Sequence, residues 1–65
     1  MQREYKGFKV GDVVEIVFID DIRKDLEGRV AKIKFIDDAG QIWLEGMPIA
    51  VVPEVDTLRI IEKAE

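Results

Sequence analysis

Two copies of the tetrapeptide Phe-Ile-Asp-Asp, at 18–21 and 35–38, put adjacent carboxylates straight after apolar runs. Paired acids could hold a hard cation or share general acid and base work. A calcium site gathers six or more oxygens, normally from a dense motif such as D-x-D-x-D-G, and no stretch here has that spacing. Acid–base catalysis by carboxylates alone would need two acids buried close together with raised pKa values. The rest of the alphabet closes other routes. Cysteine, histidine, serine and asparagine are absent, and Thr57 and Tyr5 carry the only hydroxyls. Serine, cysteine or histidine nucleophile chemistry is thereby excluded, as are a disulfide framework and a cysteine-based metal site. The expectation is a protein that is not an enzyme and holds neither metal nor cofactor.

The repeated tetrapeptide is better explained as a way of ending a strand, used twice, with the Phe-Ile pair of each copy as the last packed rung of its strand. Residues 13–19 are β-branched and aromatic, follow a Gly11-Asp12 turn signal, and end at the first copy. A polar connection over 20–28 holds only two aliphatics, Ile22 and Leu26, and reads as a folded-over loop. A second strand, 29–36, ends at the second copy. There Asp37-Asp38-Ala39-Gly40 suits a tight hairpin, with Asp37 bonding the backbone two residues on and Gly40 in the left-handed position. Strands at 41–45, 49–52 and 58–62 follow, with Gly46-Met47-Pro48 as a turn and 53–57 as one helical turn, Pro53 standing at its start. Five short strands with closely spaced turn signals predict an all-β fold, a small five-stranded SH3-like barrel with a helical turn before the last strand. An OB-like barrel is the alternative, and it normally takes a longer chain. The expected organisation is an N-terminal extension at 1–8, a single SH3-like barrel domain at 9–62 and a frayed C-terminus at 63–65.

Those elements decide which residues can meet a partner. Ile42 and Leu44 should share the inner face, leaving Trp43, the only tryptophan, on the outer one. Exposed aromatics anchor partners. A bulge around Ala31-Lys32 or a curled strand would instead cover the indole. Lys32 and Lys34 alternate on the second strand and could flank an aromatic as in a single-strand nucleic-acid platform, or stand as solvated lysines that protect a sheet edge. With 14 acids against 10 bases, a net charge of −4 and no basic stripe, nucleic acid is the disfavoured partner. Acids concentrate in three loops, at Asp20, Asp21, Asp25 and Glu27, at Asp37 and Asp38, and in the 53–57 turn, and loops so placed in a barrel could form one negative surface. Trp43, Asp20, Asp21, Asp37 and Asp38 are therefore the candidate binding residues.

At 65 residues, 48% hydrophobic and 37% charged, the chain has room for one small core and no mark of disorder. The N-terminus shows charge without an apolar signal region, and no apolar run is long enough to span a membrane, so the default expectation is cytoplasmic. The first strand is apolar on both faces, Val13, Val17 and Ile19 against Val14, Ile16 and Phe18. A core needs one of these sets. If Ile22 and Leu26 leave the other uncovered, a homodimer through this strand would cover it.

Three stretches also resemble a family of small proteins of unassigned function found mainly in phages and bacterial mobile elements. They are Gly28-Arg29-Val30, then Ile36-Asp37-Asp38-Ala39-Gly40-Gln41-Ile42-Trp43-Leu44, then Val52-Pro53-Glu54-Val55-Asp56-Thr57-Leu58-Arg59-Ile60-Ile61. The opening Lys9-Val10-Gly11-Asp12-Val13-Val14 is similar to the start of many SH3-like barrels. The chain departs from the family where a W-D-N-G turn usually follows the third strand, having Glu45-Gly46-Met47-Pro48, and where Glu54 replaces a glycine. The resemblance implies the fold and a phage or mobile-element origin, and no activity. The function expected is a small non-enzymatic binding module recognising a host protein, with a nucleic-acid-associated barrel as the alternative.

Overall fold

The computed structural model describes residues 1–64. Seven strands form two sheets. β1 (Glu4–Tyr5) and β2 (Phe8–Lys9) make a hairpin; β3 (Val13–Phe18), β4 (Val30–Ile36), β5 (Ile42–Leu44), β6 (Ala50–Val51) and β7 (Thr57–Glu62) make the main sheet. Its order is β6-β5-β4-β3-β7, with every neighbour antiparallel. The protein is all-β, and the five expected strands are present within a residue or two. The sheet does not close on itself: β6 and β7 are its two edges.

One face of the sheet builds the core. Val14 and Ile16 of β3, Ile33 and Ile36 of β4, Ile42 and Leu44 of β5, Val51 of β6 and Leu58 of β7 are buried together with Ile19 and Leu26. Each such side chain contributes about 1.5–3 kcal/mol of transfer free energy, set against the ordering of a short chain.

The Phe-Ile-Asp-Asp repeat ends a strand in both copies, and each copy shares a second device. Register shifts fall between Ile16 and Phe18 of β3 and between Ile33 and Phe35 of β4. Each irregularity puts one extra residue on the outer side. Val17 and Phe18 both face outward, 47% and 43% exposed, while Ile19 turns in. Lys34 and Phe35 likewise face outward before the buried Ile36. This corrects two expectations. Phe-Ile is not a packed rung, since only the isoleucine packs, and Ile19 belongs with Val14 and Ile16 while Phe18 leaves them.

The 20–28 connection folds over as expected, but with one aliphatic. A 3-10 turn at Lys24–Leu26 delivers Leu26 to the core, whereas Ile22 is 94% exposed. Glu27 Oε2 accepts the Ile19 N–H at 3.0 Å and Lys24 Nζ donates to the Ile19 carbonyl, tying the loop to the end of β3. Lys24 Nζ also lies 4.2 Å from the Phe18 ring centroid, so that ring is capped by a cation. The expected helical turn at 53–57 is a hydrogen-bonded turn and not a helix: Val55 and Asp56 both donate to the Val52 carbonyl.

Residues 1–8 lie against the domain. Gln2 bridges Ile36, and Tyr5 and Phe8 pack on the core. The hairpin turns at Lys6 and Gly7, both at positive φ (51° and 85°), the arrangement of a two-residue I′ turn. Of the end expected to fray, Ala64 donates its N–H to Asp12 Oδ1 at 2.7 Å, and residue 65 lies outside the described residues.

Candidate binding face

The outer side of β4 and β5 carries the most distinctive constellation of side chains. Ile36 pairs with Ile42 and Ile33 with Leu44 on the inner side; Phe35 pairs with Trp43 on the outer. The two rings stack with centroids 5.6 Å apart and planes 17° from parallel. Such a pair is worth about 0.5–1.5 kcal/mol beyond its burial. Across β5 the partner of Trp43 is Ala50. The bulge foreseen near Ala31-Lys32 lies instead at Ile33–Phe35, and it brings Phe35 beside the indole, leaving both rings half-buried.

Asp37 fixes the indole. Its Oδ1 accepts the N–H groups of Ala39 at 3.0 Å and Gln41 at 2.9 Å, and its Oδ2 accepts Trp43 Nε1 at 3.2 Å. The hydrogen bond from the Gln41 amide, followed by that from the indole, holds the Asp37 carboxyl below the usual aspartate range. One ionised side chain thus shapes the hairpin and sets the ring that stands beside it. The hairpin itself is as expected, with Gly40 at φ 83°.

Lys32 and Lys34 are exposed on the same outer side, and neither forms an ion pair among the described residues. They do not guard an edge, because β4 lies inside the sheet between β3 and β5. Arg29 precedes β4, at the end of the strand away from Trp43.

The other candidate residues have local structural roles. Asp38 meets the N-terminal amine at 3.0 Å with both groups well exposed, a contact of little energetic weight. Asp21 Oδ1 accepts the Arg23 N–H at 3.1 Å, opening the long loop in the manner Asp37 opens its hairpin. Asp20 has an exposed side chain, and its N–H donates to Asp56 Oδ1 at 2.7 Å. The structure therefore unites Asp37 with Trp43 and leaves Asp20 and Asp21 in a separate loop.

The three acidic loops do converge, through residues that spacing did not reveal. Asp56 Oδ1 holds Asp20 while its Oδ2 accepts the Val52 N–H at 2.9 Å, joining the long loop to the 53–57 turn. Tyr5 joins that turn to the 37–40 hairpin. Its hydroxyl donates to Glu54 Oε2 at 2.5 Å, and its ring lies so close over Gly40 that a Cβ there would stand 2.7 Å from Tyr5 Cζ. This bond raises the Tyr5 pKa and lowers that of Glu54. Asp12, buried, accepts the Lys9 N–H and, 52 positions on, the Ala64 N–H. The carboxyl groups with displaced pKa values, Asp25, Asp37 and Glu54, are all held low, the opposite of a poised general acid. Among the described residues there is no pocket, and no group of three or more acidic side chains is placed to hold a metal ion. No described helix is long and apolar enough to cross a membrane.

Fold and surface together define a small all-β domain whose notable feature is a braced aromatic pair on the outside of its sheet. The chain belongs to the family described as Domain of unknown function (DUF4314), which it matches over residues 1–61, so the match takes in the N-terminal hairpin as well as the main sheet. No curated protein and no solved structure matches it significantly.

Proposed function

We propose that this domain is a non-catalytic binding module of SH3-like architecture, an accessory protein of a phage or mobile element that recognises a host protein through the outer face of β4 and β5. The strand order supports the architecture: β3 to β6 form an antiparallel meander with a long loop after its first strand, and after a tight turn β7 returns to pair with β3. The observation that carries the functional reading is the Phe35–Trp43 stack. Three of the five aromatic residues lie outside the core; Phe18 is capped by Lys24, whereas Phe35 and Trp43 stack on each other and an ionised aspartate holds the indole. Preset aromatic rings bind with little further loss of side-chain freedom, which is why they anchor interfaces.

A single-stranded nucleic acid is a second reading, favoured by one observation: Lys32 and Lys34 share the outer side with the rings. The two are separated by immobilising wild-type, Trp43→Ala and Lys32→Glu/Lys34→Glu proteins, exposing them to one host lysate, and running a labelled single-stranded oligonucleotide against each at low and moderate salt. Protein recognition predicts a specific captured protein that is lost with Trp43→Ala and retained by the lysine variant. Retardation of the oligonucleotide, abolished by the lysine changes, would replace it with the nucleic-acid reading. Neither capture nor retardation would refute a binding role for this face.

A further inference from the structure

The other part of the sheet's outer side, where β3 lies between β7 and β4, adjoins the aromatic face along β4 and has its own pattern. Two rows of side chains cross it. Glu62, Val13 and Lys32 form one, and Arg59, Glu15 and Val30 the other, as the register of β3 with its two neighbours requires. Val17 stands beyond the second row, and Ile61 bulges beside Glu62; Val17, Val30 and Ile61 are 47%, 52% and 48% exposed. Two acids and two bases share this face, so it carries no net charge on a chain of −4. Elsewhere two copies would repel; here they need not.

We propose that a second copy of the chain docks on this face, sheet on sheet, about a two-fold axis running along β3. Such an interface is self-complementary by symmetry. The axis lays Val13 over Val13 and Val17 over Val17 of the second copy, and exchanges the β4 and β7 sides. Lys32 of each copy then faces Glu62 of the other, and the stem of Arg59 covers Val30. Glu15 meets its own image, but in each chain its charge is held by Arg59, whose Nε lies 3.0 Å from Glu15 Oε1. Three strands about 4.8 Å apart and five residues of about 3.4 Å rise give a footprint of roughly 250 Å². That is well under the ~800 Å² per partner of a stable complex, so the dimer is weak and half-formed at roughly 0.1–1 mM. The site does not involve Phe35 or Trp43.

Sedimentation equilibrium across about 10 μM to 2 mM, a span bracketing that constant, reads the association. The wild-type mass should climb toward twice the monomer, and Val17→Lys should hold it at the monomer with an unchanged melting curve. Lys32→Glu and Glu62→Lys should each weaken association about tenfold or more, because by symmetry each replaces two complementary pairs by two like-charged ones. Mixed in equal amounts, these two variants should recover association to the wild-type level or beyond, because each supplies the charge that the other lacks. A wild-type mass constant at the monomer, or a mixture no better than its components, overturns the proposal. So does a Val17→Lys protein that still dimerises. If Val17→Lys fails to fold, Val17 belongs to the core and the face is misassigned. Val30→Lys then gives an independent reading, and a dimer that it leaves intact also overturns the proposal.

Discussion

Replacing Gly40 by alanine should remove much of the domain's stability, through two separable effects. Gly40 has φ of +83°, where a side chain costs about 1–2 kcal/mol. The new Cβ would also lie 2.7 Å from Tyr5 Cζ and 2.9 Å from both Cε2 and the hydroxyl oxygen. The ring cannot simply give way, because its hydroxyl is bonded to Glu54 and its body packs against the core. Forced overpacking of this kind costs roughly 1–3 kcal/mol. Stiffening of the unfolded chain returns about 0.4–1 kcal/mol, leaving a net loss of about 2–4 kcal/mol. A domain of this length holds on the order of 3–10 kcal/mol in all. With a urea slope near 1 kcal/mol/M, the midpoint should fall by roughly 2–4 M, followed through Trp43 fluorescence and circular dichroism. Gly28 supplies the control. Its φ is +89° but nothing lies within 4 Å of a Cβ there, so Gly28→Ala should show only the conformational part less the same unfolded-state return, a net loss of about 0.5–1.5 kcal/mol. In Tyr5→Ala/Gly40→Ala the clash disappears, and the two changes should be less than additive by about 1–3 kcal/mol. Equal losses for Gly40→Ala and Gly28→Ala, or strict additivity with Tyr5→Ala, would refute the reasoning.

Asp37 is held below its ordinary value of 3.8, so its contribution is complete above that pH and is lost as pH falls through the folded-state pKa; acid titration of Asp37→Asn should therefore show a flatter decline below about pH 4 than wild type. Tyr5 is displaced upward from 10.0, so its contribution is present below pH 10 and lost as pH rises through the folded-state pKa, and Tyr5→Phe should be less stable at neutral pH yet lose less on going alkaline. Asp56→Ala leaves the Asp20 and Val52 N–H groups without their acceptor and should cost about 1–3 kcal/mol, with hydrogen exchange accelerated at those two amides beyond the global change.

The inward and outward faces of β5 and the hairpin over 37–40 were legible in the sequence because they depend on neighbours in the chain. A period of two put Ile42 and Leu44 inside and Trp43 outside, and an aspartate three residues before a glycine specified the turn. What escaped needed information from afar. The register shifts that turn Phe18 and Phe35 outward arise from pairing with β7 and β5, and an apolar phenylalanine beside an isoleucine gives no sign of which will be displaced. The N-terminal hairpin was hidden because its turn places Lys6 at φ 51°, where glycine or asparagine is the usual signal. In the sequence Asp12 is legible only as part of a turn signal and Asp56 only as part of the 53–57 turn, since the amides they hold at Ala64 and Asp20 lie 52 and 36 positions away. Of the candidate site, Trp43 and Asp37 were identified and their contact was not; Phe35, the second ring, was assigned to the core.

The most direct test of the central claim, that the braced Phe35–Trp43 face is the recognition surface, is quantitative mass spectrometry of host proteins retained by wild type, Trp43→Ala and Val17→Lys, each first shown to keep its circular dichroism spectrum. The account predicts one or a few proteins enriched equally by wild type and Val17→Lys and reduced at least tenfold by Trp43→Ala, the loss expected when a central aromatic anchor worth about 1.4 kcal/mol or more is removed. Proteins retained as well by Trp43→Ala as by wild type would contradict it.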